Sequence, residues 1–201
     1  VAHLSERRIP VAIAAGANST SVAELTFAMM LTLTRQLRDL DQAVRTHNFS
    51  ARSKLLALEL EGANLLIIGF GRIGRKVAAR ACAFGMNVTI ADIAPDHALA
   101  DQLGCKAIDD FRPELPYTDI LSVHVPLDDN TSHLISDDVL SQLKPGALVL
   151  NCARGGVVDE ALQTGDVPLE RLDVQLLHRL VLLLPVVPST TTTTASSLIG
   201  A

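Results

Sequence analysis

The sequence predicts an α/β fold, a doubly wound parallel sheet in strand order 3-2-1-4-5-6 with helices on both faces. Three observations predict it. Apolar runs alternate with helical patterns along the chain. Most of these runs are continuous rather than alternating, as strands covered on both faces must be. Residues 64–92, NLLIIGFGRIGRKVAARACAFGMNVTIAD, read as strand, glycine turn, helix, strand and terminal acid in that order. Right-handed crossovers then place the ligand crevice at the carboxyl ends of the strands.

Residues 1–8 carry a short polar turn and read as the tail of a segment already under way; 9–14 predict a short strand and 16–19 a turn. Ser19, Thr20 or Ser21 can cap the next helix, with Glu24 completing a capping box from Ser21. That helix is expected to run to about Arg45. Val22, Leu25, Met29, Leu33, Leu37 and Leu40 form its apolar side, and Met30 and Leu31 widen it. A helix this apolar packs on the sheet and also on a second surface, either another subunit through 21–45 or the rest of its own chain. Residues 46–62 read as an irregular arm with a short turn at 53–60. Beyond 64–92, a helix is expected at 95–103, a strand at 104–108, a helical turn at 109–115 and a strand at 119–125, ended by Pro126. Ser136 is placed to cap a helix over 136–143 that Pro145 and Gly146 stop, and 147–151 is the next strand.

Within 64–92 each residue type has a physical role. Gly69 lets the chain leave its strand in a tight turn, Gly71 leaves room for a pyrophosphate against the backbone, and Gly74 lets the helix pack closely on the sheet. Free N–H groups at the helix start receive phosphate charge. Asp92, at the end of the second strand, can accept hydrogen bonds from both ribose hydroxyls and would repel a 2′-phosphate. With no arginine following it, the pattern favours NAD over NADP.

Bulk properties exclude several classes. A net charge of −5, from 17 basic and 22 acidic residues without a basic cluster, gives a nucleic-acid groove little support. Hydrophobic content of 48% argues against disorder. The apolar stretch 180–187 is broken by Pro185 and too short to span a bilayer, and no signal peptide is read. Cys82, Cys105 and Cys152 have no paired spacing, which points to reduced thiols in a cytoplasmic setting. His3, His47, His97 and His133 offer no paired acid or ligand spacing, so no metal site is predicted. His124 falls at a strand end beside the crevice.

The second constellation is NCARGGVVD at 151–159, which closes the strand beginning at Leu148. Arg154 falls where this strand meets the crevice. A planar, permanently charged fork is suited to clamping a carboxylate and polarising an adjacent carbonyl, although a solvated arginine at a turn would read the same way.

Together GANSTSVAELTFAMML (16–31), LIIGFGRIGRKVAARACAFGM (66–86), SVHVPLDDNTSHLI (122–135), LKPGALVLNCARGGVVDE (143–160) and LDV (172–174) resemble the D-isomer-specific 2-hydroxyacid dehydrogenases over nearly the whole chain. The resemblance implies a Rossmann NAD-binding domain at 16–188, preceded at 1–15 by the end of a substrate domain and followed at 189–201 by the start of a return segment. The family's flavodoxin-like substrate domain is mostly absent. It implies that Arg154 binds the substrate carboxylate and orients the carbonyl, that Arg72 and Ile73 line the pyrophosphate, and that Asp92 takes the adenosine ribose. Val125 and Pro126 would border the cofactor, Cys152 and Ala153 lie against the nicotinamide, and Asp173 hold its carboxamide. Val22 and Glu24 belong to the family's SVAE start of the long helix, which flanks the crevice and a homodimer contact. The implied reaction is hydride transfer between nicotinamide C4 and C2 of a 2-hydroxy or 2-keto acid such as 3-phosphoglycerate or glycerate. No nucleic-acid or membrane partner is implied.

The chain departs from the family near its end. Ser189 stands where the general-base histidine is expected, and His178 where its partner glutamate is expected. About one helical turn is missing after Glu160, and the threonine run 190–194 disfavours a helix. Lost catalysis, a partial chain and an imperfectly determined terminal sequence are the three accounts, the last two fitting the abruptness better. The chain alone is expected to bind NAD and catalyse little. A non-catalytic NAD(H)-sensing module, as in related corepressors, and a formate dehydrogenase are the alternative readings.

Overall fold

The computed structural model describes residues 2–159 apart from 11, 13 and 54–56. Helices α1 (Ala2–Glu6), α2 (Ser19–Thr34) and α3 (Leu37–Arg45) and a 3₁₀ turn at Phe49–Ser53 precede the sheet. There follow β1 (Asn64–Ile68), α4 (Arg72–Ala83), β2 (Asn87–Ala91), α5 (His97–Leu103), β3 (Lys106–Ile108), a 3₁₀ turn at Arg112–Tyr117, β4 (Ile120–Val123), α6 (Asp137–Ser141) and β5 (Leu148–Asn151). The five strands are parallel in the order β3-β2-β1-β4-β5, and the expected sixth strand lies outside the described residues.

The apolar strand runs are explained by the two cores. Leu65 and Ile67 of β1, Val88 and Ile90 of β2, Ile120 of β4 and Leu150 of β5 face one layer, where α2 contributes Ala23, Phe27 and Met30, and α4 contributes Val77, Ala78 and Ala81. The intervening Leu66, Ile68, Leu121, Val123 and Val149 face the other layer, with Phe111, Leu115, Ile135, Val139 and Leu140. Successive strand residues point to opposite faces, so a strand covered on both sides needs an apolar residue at almost every position.

Three expectations for the N-terminal region are corrected. Ile9, Pro10, Ala12 and Ala14 are in no strand. Instead the Ile9 N–H donates to Leu4 O (2.9 Å), Arg8 takes a left-handed φ of 53°, and Pro10 has no N–H for a ladder. The helix to Arg45 is two helices. Gln36 adopts φ 50°, and the Thr34 carbonyl accepts from Leu58 N–H at 2.9 Å, so a residue of the arm takes an acceptor that a continuing helix would use. No capping box forms from Ser21. The N-cap is Asn18, three residues before Ser21, so Ser21 falls inside the helix, and Glu24 reaches toward Arg80 of α4.

The buried face of α2 also differs from the one expected. Met29 and Met30 are buried as expected, but Ala23, Thr26, Phe27 and Thr34 are buried as well, whereas Leu25 is 36% and Leu37 48% exposed. Against α4, Phe27 stacks on Phe84 with ring centres 5.3 Å apart and Glu24 reaches Arg80. The Thr26 and Thr34 hydroxyls donate to Val22 O and Met30 O (2.9 and 2.8 Å), which satisfies them within the helix and permits their burial. Further differences are local: residues 2–6 form a helix rather than a polar turn, the arm's turn lies at Phe49–Ser53 rather than 53–60, the turn expected at 109–115 lies at Arg112–Tyr117, and α6 is shorter than 136–143. Ser136 occupies the N-cap of α6 without a side-chain bond; Asp96 provides one for α5, accepting from Leu99 N at 3.1 Å.

Candidate functional site

Parallel strands bring their carboxyl ends to one edge. Gly69 to Gly71 follow β1, Asp92 follows β2, His124 to Pro126 follow β4, and Cys152 to Arg154 follow β5. The glycine turn is locked between its neighbours. Gly69 N–H donates to Ala91 O, and His124 N–H to Ile68 O, each at 2.8 Å. At φ 100°, Gly69 is in a region that side chains avoid, and a Cβ there would also meet the His124 carbonyl group at 2.8 Å.

The other two glycines have opposite surroundings. A Cβ on Gly74 would run into the backbone carbonyl oxygen of Gly69, whereas a Cβ on Gly71 would meet nothing within 4 Å. Gly74 therefore serves the packing of α4 against the turn. Gly71 faces open space at the start of a twelve-residue helix whose first turn contains no acid. Unpaired N–H groups and the positive end of the helix dipole face that space, an arrangement suited to an anion. Arg72 is exposed, Ile73 is half-buried, and a Cβ on Gly16 would lie 3.3 Å from Arg72 Cδ, so the segment before α2 closes over this turn.

Asp92 is tied to the turn in a way its strand-end position did not reveal. Its Oδ2 accepts from Phe70 N–H at 2.6 Å and its Oδ1 from Ala94 N–H at 3.0 Å. A carboxylate has about four acceptor positions, so about two remain for a ligand. Arg75 is a neighbour that sequence reading missed. Its Nε donates to Phe70 O (3.0 Å), its guanidinium lies 5.2 Å from the Phe70 ring centre, and it pairs with Asp96 at 3.3 Å. Phe70, Arg75, Asp92 and Asp96 thus form one hydrogen-bonded corner, with the arginine already engaged by Asp96.

On the other side, Val125 packs toward Gly69, and exposed Pro126 opens a loop held by Thr131, whose hydroxyl donates to Pro126 O at 2.6 Å. Ser122 Oγ and His124 Nε2 are 2.9 Å apart. Burial pushes the His124 pKa down to about 4, leaving a neutral ring at pH 7 whose enclosed Nδ1 has no partner among the described residues. His124 is therefore suited to support the turn from behind rather than to carry charge.

Cys152 is half-buried, with its thiol 3.6 Å from Met29 Sδ of α2. Burial pushes its pKa up, against a hydrogen bond with Thr26, so it acts as an apolar wall. The turn after β5 is held by one amide: Asn151 Oδ1 accepts from Ala153 N–H (3.0 Å) and Nδ2 donates to Arg154 O (2.9 Å). Ala153 is half-buried, and among the described residues the exposed Arg154 guanidinium donates to Ala153 O (2.8 Å). The chain beyond is laced to the loop after β4 by His133 N–H to Gly156 O and Ile135 N–H to Val157 O (2.8 and 3.1 Å). Asp173, His178 and Ser189 lie outside the described residues. Among the described residues no cluster of His, Cys, Asp and Glu could hold a metal ion.

Residues 27–174 match the family model described as D-isomer specific 2-hydroxyacid dehydrogenase, NAD binding domain. The D-3-phosphoglycerate dehydrogenase of Methanocaldococcus jannaschii is 36% identical over 175 residues, covering 85% of this chain and 33% of the relative. That of Rattus norvegicus is 40% identical over 162 residues, covering 78% and 30%. Among solved structures, D-lactate dehydrogenase from Aquifex aeolicus complexed with NAD and lactic acid superposes with a TM-score of 0.72 at 34% identity, covering 90% of this chain and 57% of that one. The chain spans about a third of the length of the curated relatives it matches.

Proposed function

We propose, because the chain belongs to the D-isomer-specific 2-hydroxyacid dehydrogenases through their NAD-binding domain, that it is the cofactor half of an enzyme interconverting a D-2-hydroxy acid and its 2-keto acid. The observation that carries this reading is the convergence of open Gly71, tethered Asp92 and exposed Arg154 on one sheet edge. In this reading the amides of Arg72 and Ile73 at the start of α4 hold the pyrophosphate, and the remaining acceptor positions of Asp92 take the ribose hydroxyls. Val125, Pro126, Cys152 and Ala153 flank the nicotinamide, and Asp173 holds its carboxamide.

Bound NAD supplies the hydride acceptor at C4 of its nicotinamide ring. Arg154 grips the substrate carboxylate and draws electron density from the C2 oxygen, its charge remaining constant throughout. The hydroxyl proton needs a titrating base, which Ser189 cannot supply alone. Phosphoglycerate and glycerate are the substrate class we favour, since D-3-phosphoglycerate dehydrogenases are prominent among the relatives. The outward side of α2, which carries Leu25, is the proposed homodimer face, shortened from the sequence-based 21–45 by the break at Gln36. No described helix is long and apolar enough to cross a membrane, and three free thiols fit a reducing, cytoplasmic setting.

Full-length protein should oxidise NADH with at least one of glyoxylate, hydroxypyruvate, pyruvate and 3-phosphohydroxypyruvate. NADH binding without turnover of any would overturn the assignment. Asp92→Asn should weaken NADH binding by about ten- to a hundredfold, as loss of a charged acceptor does, and narrow the preference over NADPH. Fluorescence titration with both nucleotides checks this, and an unchanged ratio would remove Asp92 from the ribose site.

A further inference from the structure

Cys82 and Cys105 have no motif spacing, yet the fold brings them together. Cys82 is half-buried near the end of α4, and Cys105 is buried just before β3. Both are free, and their sulfurs are 3.4 Å apart. A disulfide bond is about 2.05 Å long, so closure needs each sulfur to move by only roughly 0.7 Å. Cys105 is anchored by its N–H donating to Ala100 O at 2.9 Å, and it lies in the same apolar layer as Leu99 and Leu103. Cys152 is held instead beside Met29, so it does not share this pair.

We propose that Cys82 and Cys105 form a reversible thiol–disulfide site that is oxidised by hydroperoxides and reduced by dithiols. Cys82, the less buried of the two residues, attacks the peroxide oxygen as its thiolate. The O–O bond breaks, giving the Cys82 sulfenic acid and, after protonation, an alcohol or water. The Cys105 sulfur then attacks the Cys82 sulfur. The S–O bond breaks and hydroxide leaves, taking the Cys105 proton to form water. Two thiols and one hydroperoxide thus yield one disulfide, one alcohol (or water) and one further water.

The order follows from the surroundings. Burial first, and then the hydrogen bond and charge of Cys82, push the Cys105 pKa up to about 12, so Cys105 is the resolving rather than the attacking thiol. The bridge would join α4 to the edge of β3 and enclose β2, Asp92 and α5 in one covalent loop. Cys105 has two effects in this arrangement: it diverts Cys82 from irreversible sulfinic acid, and it fixes the arm carrying Asp92 against α4.

The test is to treat the reduced full-length protein with an equivalent of hydrogen peroxide, block with N-ethylmaleimide and map the peptides by mass spectrometry. The expected result is a Cys82–Cys105 linked peptide, two fewer maleimide groups, full reversal by dithiothreitol and a melting temperature raised by several degrees. Cys105→Ser, verified by its melting curve, should accumulate Cys82 sulfinic acid at least tenfold faster than the parent. Recovery of Cys82 as sulfinic or sulfonic acid beside an unoxidised Cys105 in the parent protein would overturn the proposal. So would oxidation at Cys152 with both pair members still alkylated. The peptide map of the parent decides the matter even if the serine variant fails to fold.

Discussion

Gly74→Ala is expected to destabilise the domain by about 3 kcal/mol or more, while Gly71→Ala leaves folding nearly intact and removes cofactor affinity. Helix propensity alone predicts the opposite sign for Gly74, a gain of about 1 kcal/mol from alanine inside α4. Packing decides against it. The new Cβ would overlap the Gly69 carbonyl oxygen, and neither atom can rotate away because both belong to backbone. Gly69 has no free retreat, since its N–H is bonded to Ala91 O and the carbonyl of the preceding Ile68 accepts from His124 N–H. Overpacking costs of about 1–3 kcal/mol assume side chains that can yield, so a backbone clash belongs at or beyond the upper end. Gly71 has φ −73° and open space around its Cβ direction, so alanine fits the free protein at a cost of about 1 kcal/mol or less at this N-cap. The methyl group would instead stand where a pyrophosphate must approach, and NADH affinity should fall at least about tenfold, roughly 1.4 kcal/mol. Urea unfolding and NADH titration of both variants separate the two roles. Equal unfolding midpoints, or unchanged NADH affinity in Gly71→Ala, would sink the distinction.

The 64–92 unit was legible because its determinants are local. Continuous apolar strands, a glycine turn and a terminal acid are consecutive in the chain, and parallel topology then placed Asp92, Pro126 and Arg154 at one edge. What was not legible depends on contacts made at a distance. The break at Gln36 follows from Leu58 docking on Thr34, and the link from Asp92 to Phe70 spans 22 residues. Residue-type reasoning placed Leu25 on the apolar side of α2, but the small Ala23 and the self-satisfied Thr26 are the residues buried there. The engaged Arg75, the Asn151 clamp and the Cys82–Cys105 contact likewise exist only once the layers are assembled. A useful signal was present for Asn151: an amide ending a strand three residues before an arginine can close a turn onto its own backbone.

Arg154→Gln in the full-length protein is expected to lower kcat/KM for the 2-keto acid by roughly a hundred- to a thousandfold, ~3–4 kcal/mol, with NADH affinity changed less than about twofold. The arrangement of the turn supports this separation. Asn151 fixes the backbone from 151 to 154 through two bonds that do not use the arginine side chain, so the substitution should leave the turn in place. The guanidinium is exposed and its bond to Ala153 O is local, so little folding energy depends on it. A substrate carboxylate would instead engage the planar fork through two parallel charge-assisted bonds. Arg154→Lys keeps the charge but loses that geometry, and should recover part of the deficit while remaining at least about tenfold below the parent enzyme. This ranking separates substrate binding from structural support: a merely structural arginine would make both variants melt earlier and weaken NADH and keto acid together. Steady-state kinetics, NADH titration and melting curves on the three proteins distinguish the cases, and activity unaffected in Arg154→Gln would remove this residue from the substrate site.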